Sequence, residues 1–373
     1  MAVIEQRPGW TWDDVLARLG EHVDVCESAR RHGAIKRARI VRTGDQLLRL
    51  VLAYVLSGLS LRSTAAWAQM SGTARLSDVA LLKRLRNCGP WLADMVSVLN
   101  GRLCPEGGVL SGGYRVVAVD ATTVCSPGGS HKPYRVLHTV YDVGAQRLLS
   151  TEVTDRHVGE RLDIGTVRAD EIRLGDRVYA RYKDLAAVGA AGGHYVVRFG
   201  ARSLRLRDEA GNPVSLCEVC GQAEKTGLVD MDVRLGDAKG AARLAARIVI
   251  LPLPPQQAEA ARRQMRRNMR KWGCGPPSAA ALATAGCLML VTSLARKDWS
   301  CQAILALYRQ RWQVELAFKR LKSLLDLERL RAFDAGLTYA WVNAVLLVAL
   351  LLDLERPPAH KSGAPVSPPQ AAA

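Results

Sequence analysis

Residues 305–325 read LALYRQRWQVELAFKRLKSLL, and their period is that of one amphipathic helix of about six turns. With Glu315 at zero on a 100°-per-residue wheel, Tyr308, Arg311, Lys319 and Lys322 fall within roughly 40° of it. Leu307, Val314, Phe318, Leu321 and Leu325 flank this polar stripe on one side, and Leu305, Trp312 and Leu316 on the other. Arg309, Gln310, Gln313 and Arg320 take the remaining face, the expected solvent side. A run of i,i+4 ion pairs, Arg311 to Glu315 to Lys319, explains such a stripe on a wet face, each pair contributing about 0.2–0.5 kcal/mol. An acid between two apolar shoulders, ringed by cations and a tyrosine, also suits a metal-binding carboxylate with phosphate-binding neighbours.

Composition narrows the choice. The 373 residues carry 52 Lys plus Arg against 35 acids, a formal charge of +17 and a pI near 9.8. That balance points to a polyanionic partner, nucleic acid before membrane. With 49% hydrophobic residues, the chain can bury a large core in two or three domains, which excludes wholesale disorder. Nine scattered cysteines and an N-terminus without an apolar signal core predict a reduced, cytoplasmic protein. Cys217 and Cys220 form a single CxxC, with no second pair at zinc-site spacing. The apolar run Ala340 to Leu352 is too short for a bilayer and reads as a buried helix.

Along the chain, residues 1–108 read as an N-terminal all-helical, DNA-binding region. Thr11, Ser60 and Ser77 stand as helix caps, and the two helices opening at Ser60 and Ser77 resemble a helix-turn-helix. A Gly-rich joint, PEGGVLSGG at 105–113, precedes a change to strands. YRVVAVDATTV (114–124) is an apolar strand whose run ends on Asp120, followed by strands over 134–143 and 147–156. A short strand then ends at Gly175-Asp176, a helix is expected over 177–188, and HYVVRF (194–199) is a fifth strand. Three strands, a helix, a strand, a helix and another strand suit an RNase H-like sheet, among other α/β folds. Residues 109–200 are accordingly the first part of a catalytic core.

Residues 201–286 read as a β-rich insertion: a hairpin around Gly211-Asn212, strands in LVDMDVRL and ARIVILPL, and a basic helix, QQAEAARRQMRRNMRKWG. Arg263, Arg266 and Arg270 belong to a run of six cations with no acid after Glu259, which repel one another unless an anion sits nearby. Residues 287–355 complete the core with the strand CLMLVTSL and the Glu315 helix. The Pro- and Ala-rich tail, 356–373, is expected to be disordered.

The spacing Tyr308, two residues, Arg311, three residues, Glu315, six residues, Lys322 resembles the Tyr-Arg-Glu-Lys signature of the DDE transposases grouped as the insertion-sequence-four family. Asp176, Arg177 and Tyr179 resemble that family's Asp-Arg-Gly-Tyr element, with Val178 where Gly is usual, so the backbone there must avoid positive φ. The resemblance covers most of the chain. It implies an α/β, RNase H-like mixed sheet flanked by helices, interrupted by the β-rich insertion, and a catalytic triad of Asp120, Asp176 and Glu315. Taken alone, Asp120 is as often a turn residue, and Asp176 as often a helix cap.

The implied chemistry is cleavage at transposon ends and joining of 3′-OH ends to target DNA by cut-and-paste. Two Mg²⁺ ions, replaceable by Mn²⁺, would be held by the three carboxylates about 4 Å apart. Tyr308, Arg311, Lys319, Lys322, Arg177 and Tyr179 would contact DNA near the scissile phosphate, where an Arg fork and a Lys suit the task. The expected partner is double-stranded DNA, both terminal inverted repeats and target, bound by a homodimer in a bacterial, nucleoid-associated setting without a membrane. A metal-dependent nuclease on the same fold, or an inactive sequence-specific DNA-binding protein, are the rival expectations. His157 and Glu160, in TDRHVGE (154–160), read as a hydrogen-bonded surface turn rather than as site residues.

Overall fold

The computed structural model describes residues 11–103, 109–111, 113–125, 127, 133–237, 242–325, 327, 330 and 332–354. The expected disordered tail, 356–373, lies outside them. Thr11 opens the first helix with a reciprocal capping box, its hydroxyl accepting from the Asp14 N–H while the Asp14 carboxylate accepts from the Thr11 N–H. Helices α1 (Trp12–Gly20), α2 (Val25–Arg31), α3 (Gly44–Leu56), α4 (Leu61–Met70), α5 (Asp78–Leu85) and α6 (Gly89–Leu103) follow. Ser60 and Ser77 cap α4 and α5 through hydrogen bonds from Ser63 N and Ala80 N, as the sequence predicts.

Ten strands form one sheet: β1 (Val109–Ser111), β2 (Tyr114–Cys125), β3 (Pro133–Asp142), β4 (Arg147–Asp155), β5 (Glu171–Gly175), β6 (His194–Arg198), β7 (Arg205–Arg207), β8 (Val229–Gly236), β9 (Ala242–Pro252) and β10 (Cys287–Thr292). Their spatial order is β4-β3-β2-β5-β6-β10-β9-β8-β7, with β1 beside β2. The β2, β3 and β4 strands are antiparallel neighbours, while β5 and β6 run parallel to β2 with helix α7 (Tyr182–Ala190) between them. Three antiparallel strands followed by two parallel ones, in the order 3-2-1-4-5, is the arrangement of an RNase H-like sheet. β10 returns antiparallel to β6, and β9, β8 and β7 extend the same sheet outward. The strands of the expected insertion therefore share backbone hydrogen bonds with the core strands.

Beyond β7 the chain forms α8 (Leu216–Thr226), and beyond β9 it forms the basic helix α9 (Pro255–Lys271) and α10 (Ala279–Ala285). Helix α8 escaped the sequence reading; it carries both Cys217 and Cys220, and Cys220 is buried. The last elements are α11 (Cys301–Arg309), α12 (Trp312–Leu325) and α13 (Ala335–Leu354). Residues 340–351 of α13 are all buried, packed against α6 and α3, which explains a helix apolar around its whole circumference. By length and composition it is long enough to cross a bilayer, yet its surface is covered by its own protein.

Residue parity divides the core. Val116, Ala118, Ile172 and Leu174 face one side of the sheet with α12 and the N-terminal helices, whereas Val117, Val119 and Val197 face the other. Three sequence expectations are corrected. Asp120 stands mid-strand rather than at the end of β2, which runs on to Cys125. The expected helix 177–188 is a 3₁₀ turn over Arg177–Tyr179 followed by α7, because the chain turns out of helical geometry at Ala180 (φ −77°, ψ 67°). The single helix 305–325 is two, α11 and α12, joined at Gln310-Arg311. There Gln310 N bonds Leu307 O, Arg311 N bonds Tyr308 O and Val314 N bonds Arg311 O, a tightening from four-residue to three-residue spacing. No Gly or Pro marks the junction, so the helical period reads straight through it.

Candidate active site at the ends of two parallel strands

Strands β2 and β5 pair in parallel with Ala118 opposite Leu174. Two residues further on each strand stand Asp120 and Asp176, and Asp176 keeps an extended backbone (φ −82°, ψ −167°). In-register residues of parallel strands point to the same face, and neighbouring strands lie about 4.8 Å apart. The register alone therefore sets the two carboxylates side by side at the point where β5 ends and β2 continues. The face is that of Ala118 and Leu174, the one that Val314 and Phe318 of α12 cover. That is how Glu315 comes to the same end of the sheet.

Each aspartate has one oxygen engaged locally. Ala121 N–H donates to Asp120 Oδ1 at 2.9 Å, and Val178 N–H donates to Asp176 Oδ1 at 2.9 Å. Asp176 is thus a cap of the 3₁₀ turn as well as a neighbour of Asp120. Val178 follows with a negative φ, because among the described residues only Gln146 is a non-glycine at positive φ.

Arg311, at the junction of α11 and α12, spans the other two acids. Its Nη1 lies 3.6 Å from Asp120 Oδ2, and its Nη2 donates to Glu315 Oε1 at 2.5 Å. Burial pushes the Asp120 carboxyl up to about 6, with the Ala121 N–H and Arg311 opposing and the charges of Asp176 and Glu160 adding to the rise. Burial likewise raises the Tyr308 hydroxyl, which lies beside Arg311, Arg198 and Asp176. Arg177 stands near Arg198, Asp176 and Tyr308. Lys319 and Lys322 lie one and two turns along α12 and make no ion pair among the described residues; Lys319 is exposed. Trp312, expected as an apolar shoulder, is 54% exposed.

Tyr179 is fully buried, and the acids of Glu160, Asp120 and Asp176 all bear on its hydroxyl, pushing it far above the usual range for a tyrosine behind the larger effect of burial. That hydroxyl makes no hydrogen bond of good geometry. Glu160, expected in a surface turn, instead bears on Asp120, Asp176 and Tyr179, with Arg181 beside it; Arg181 and Arg198, near Glu160 and Tyr308 respectively, were not singled out in the sequence. Arg198 had a signal, since it ends the parallel strand next to β5, where α/β sheets place their sites. Glu160 stands on a connection without periodicity, so its spacing gave no direction and the surface-turn reading prevailed.

Arg263, Arg266 and Arg270 lie elsewhere, on α9, with Ala260 and Arg267 around an open cavity of about 370 Å³. Two cations of this helix do find acids: Arg262 pairs with Glu224 at 3.3 Å and Arg266 with Glu259 at 3.4 Å. Arg263, Arg267 and Arg270 pair with none among the described residues.

The donor set is made of hard carboxylate oxygens, the chemistry of a Mg²⁺ or Mn²⁺ site. Among the described residues no three acids, histidines or cysteines stand close enough to hold an ion in this conformation. Arg311 supplies the positive charge between Asp120 and Glu315, and would have to yield that place to a cation.

The strand order defines the class, an RNase H-like α/β fold, with Asp120 and Asp176 side by side on its paired parallel strands. Residues 111–351 match the family model described as the transposase DDE domain. The chain is 38% identical over 350 residues to the transposase for insertion sequence element IS421 from Escherichia coli, covering 92% of this chain and 93% of that one. It is equally 38% identical over 349 residues to InsL of insertion sequence element IS186A from Escherichia coli strain K12, with the same coverage. A piggyBac transposase synaptic complex with hairpin DNA superposes with a TM-score of 0.42 and 9% identity, over 96% of this chain and 76% of that one, too distant to place residues. The chain belongs to the DDE transposase family.

Proposed function

We propose that this transposase binds double-stranded DNA at the terminal inverted repeats of a mobile element, cleaves phosphodiester bonds there and joins the 3′-OH ends to target DNA by cut-and-paste. The single observation that carries the reading is the register of β2 against β5, which aligns Asp120 with Asp176 under the helix of Glu315. In this reading the three carboxylates are the catalytic acids and hold two divalent ions, Mg²⁺ or Mn²⁺. The ions would supply a hydroxide nucleophile and stabilise the leaving 3′-oxygen. Arg311 and Tyr308 hold a phosphate oxygen beside the acids, with the planar guanidinium suited to a bidentate grip. Arg177, Lys319 and Lys322 line the approach to the site, whereas Tyr179, expected to contact DNA with them, is fully buried and not open to it.

The unpaired cations of α9 bind the phosphate backbone at a distance from the cleaved bond. The Tyr308-Arg311-Glu315-Lys322 spacing supports a place in the insertion-sequence-four group. A homodimer acting on paired ends, in a bacterial cytoplasm, completes the proposal. The N-terminal helices α4 and α5 are the proposed sequence-reading region, and the parts follow the boundaries 1–108, 109–200, 201–286 and 287–355.

The test is strand transfer with the element's own labelled ends, a target plasmid and Mg²⁺. Covalent joining that disappears in Asp120→Asn while end binding persists supports the proposal. Cleavage without joining would reduce the protein to a nuclease, and binding without cleavage to a DNA-binding protein.

A further inference from the structure

The connection from β4 to β5 is long and irregular, and side chains of β5 and α7 tie it to the sheet. Arg173, fully buried on β5, donates from Nη1 to the carbonyls of Leu162 (2.8 Å) and Ile164 (2.7 Å), and from Nη2 to the carbonyl of Thr166 (2.9 Å). Asp184 of α7 accepts from Leu162 N–H at 3.3 Å. The buried Leu162 side chain packs at Gly175, where an added Cβ would come within 3.0 Å of it and within 2.9 Å of Tyr179 Cβ. Gly175 precedes Asp176, and Glu160 precedes Leu162 by two residues, so the anchored loop brings Glu160 to the end of β5. Gly159 admits the Arg181 guanidinium against its backbone, 3.3 Å from where a Cβ would stand. The buried Tyr179 hydroxyl faces the Glu160 carboxylate, with Asp120 and Asp176 also near it.

We propose that Glu160 is a fourth carboxylate of the acid cluster, a positioning residue that supports a divalent cation at Asp120 and Asp176 from beyond its direct ligands. The inference rests on the metal-site reading above. Four carboxylates are expensive to gather unless cations neutralise them, and acids outside the direct ligands typically change metal affinity about 10- to 100-fold when removed. The loop is anchored by Arg173, Asp184 and Leu162 and not by Glu160, so the isosteric Glu160→Gln change leaves its path intact.

The experiment titrates the purified full chain with Mn²⁺ alone, by calorimetry or by the electron paramagnetic resonance signal of free Mn²⁺, for the native protein, Glu160→Gln, Glu160→Asp and Asp120→Asn, each with its metal-free melting temperature. The expected result is an affinity about tenfold weaker in Glu160→Gln, partly restored in Glu160→Asp, with unchanged melting temperatures. Independently of any variant, Fe²⁺ bound to the native protein with ascorbate and peroxide should cut the backbone near residue 160 as well as near 120 and 176. Affinity within twofold of native in Glu160→Gln, with Asp120→Asn weakened, overturns the role of Glu160 alone. Affinity unaffected in Asp120→Asn, or no Mn²⁺ binding by the native chain, overturns the metal-site reading and this inference with it. Cuts confined to 120 and 176 also overturn the role of Glu160.

Discussion

At Arg247 and Asp230, on β9 and β8, a guanidinium and a carboxylate meet in a closed arrangement. Arg247 Nε donates to Asp230 Oδ1 at 2.7 Å and Nη2 to Oδ2 at 2.8 Å, while Nη1 donates to the Trp299 carbonyl at 2.6 Å. The Cys301 thiol donates to the same carboxylate at 2.9 Å. Burial alone would raise the Asp230 carboxyl, but these hydrogen bonds hold it below the usual range. At Arg311 the same two functional groups meet with the opposite outcome. One guanidinium is stretched between Asp120 and Glu315, like charges crowd Asp120, and a buried tyrosine hydroxyl is left without a good partner. Satisfied polar groups rigidify a fold, whereas partly satisfied ones keep free energy that binding can release. The first assembly ties strands together; the second, in the proposed reading, is where ligands would bring cations and phosphate.

The largest effect should come from the open assembly. Asp120→Asn is expected to lower strand cleavage by several kcal/mol of transition-state stabilisation, on the order of 10³- to 10⁴-fold, in single-turnover assays. The closed assembly should answer in stability instead. Arg247→Met leaves Asp230 with Arg296 at 3.5 Å and the Cys301 thiol in place of the guanidinium fork, and should cost about 1.5–3 kcal/mol in urea unfolding, with cleavage per folded molecule nearly native. Adding Asp230→Leu should recover much of that loss, and failure to recover would break the contrast drawn between the two sites.

Arg311→Lys keeps the charge but loses the fork, so cleavage should fall about 10- to 100-fold while the melting temperature barely moves. A larger loss of stability than of activity would place Arg311 with Arg247.

A smaller effect separates the sites by pH. The Asp120 carboxyl titrates near 6 in the folded metal-free protein and near 4 when unfolded. A raised acid contributes stability below pH 4 that is lost as pH rises through 6. Metal-free Asp120→Asn should therefore be more stable than native at pH 7.5 by about 1–3 kcal/mol, the difference closing toward pH 4. Asp230, held low, should show the reverse trend, with its pairing lost on acidification. Smallest per residue, each of Arg263, Arg267 and Arg270 changed to Ala should reduce the slope of log affinity against log salt for duplex DNA by about 0.9.

Much of this molecule was legible as a chain of residues. The alternation and apolar runs of β2, β3, β4 and β6 marked strands within a residue or two of where they lie. Ser60, Ser77 and Thr11 marked helix starts because a hydroxyl that can accept from the backbone two or three residues on is a local device. The polar stripe of Tyr308, Arg311 and Glu315 was visible because a helix converts spacing into direction. The break at Gln310-Arg311 was not, since no residue there forbids a helix and only packing tightens it. Helix α8 carries a helical stripe of Leu216, Val219, Cys220 and Ala223, which the reading of Cys217 and Cys220 as a CxxC passed over.

What the amino acids alone determined is which residues are chemically equipped: a pair of aspartates, a helix-borne glutamate, an arginine fork and an excess of positive charge. What only the tertiary structure decided is which of them share a place. The alignment of Asp120 with Asp176 follows from the pairing of strands more than fifty residues apart, and the arrival of Glu160 follows from a buried arginine reaching three carbonyls of a loop with no period. Spacing along a chain specifies direction within an element, while register between elements is set by the burial of whole faces, a property no short stretch contains.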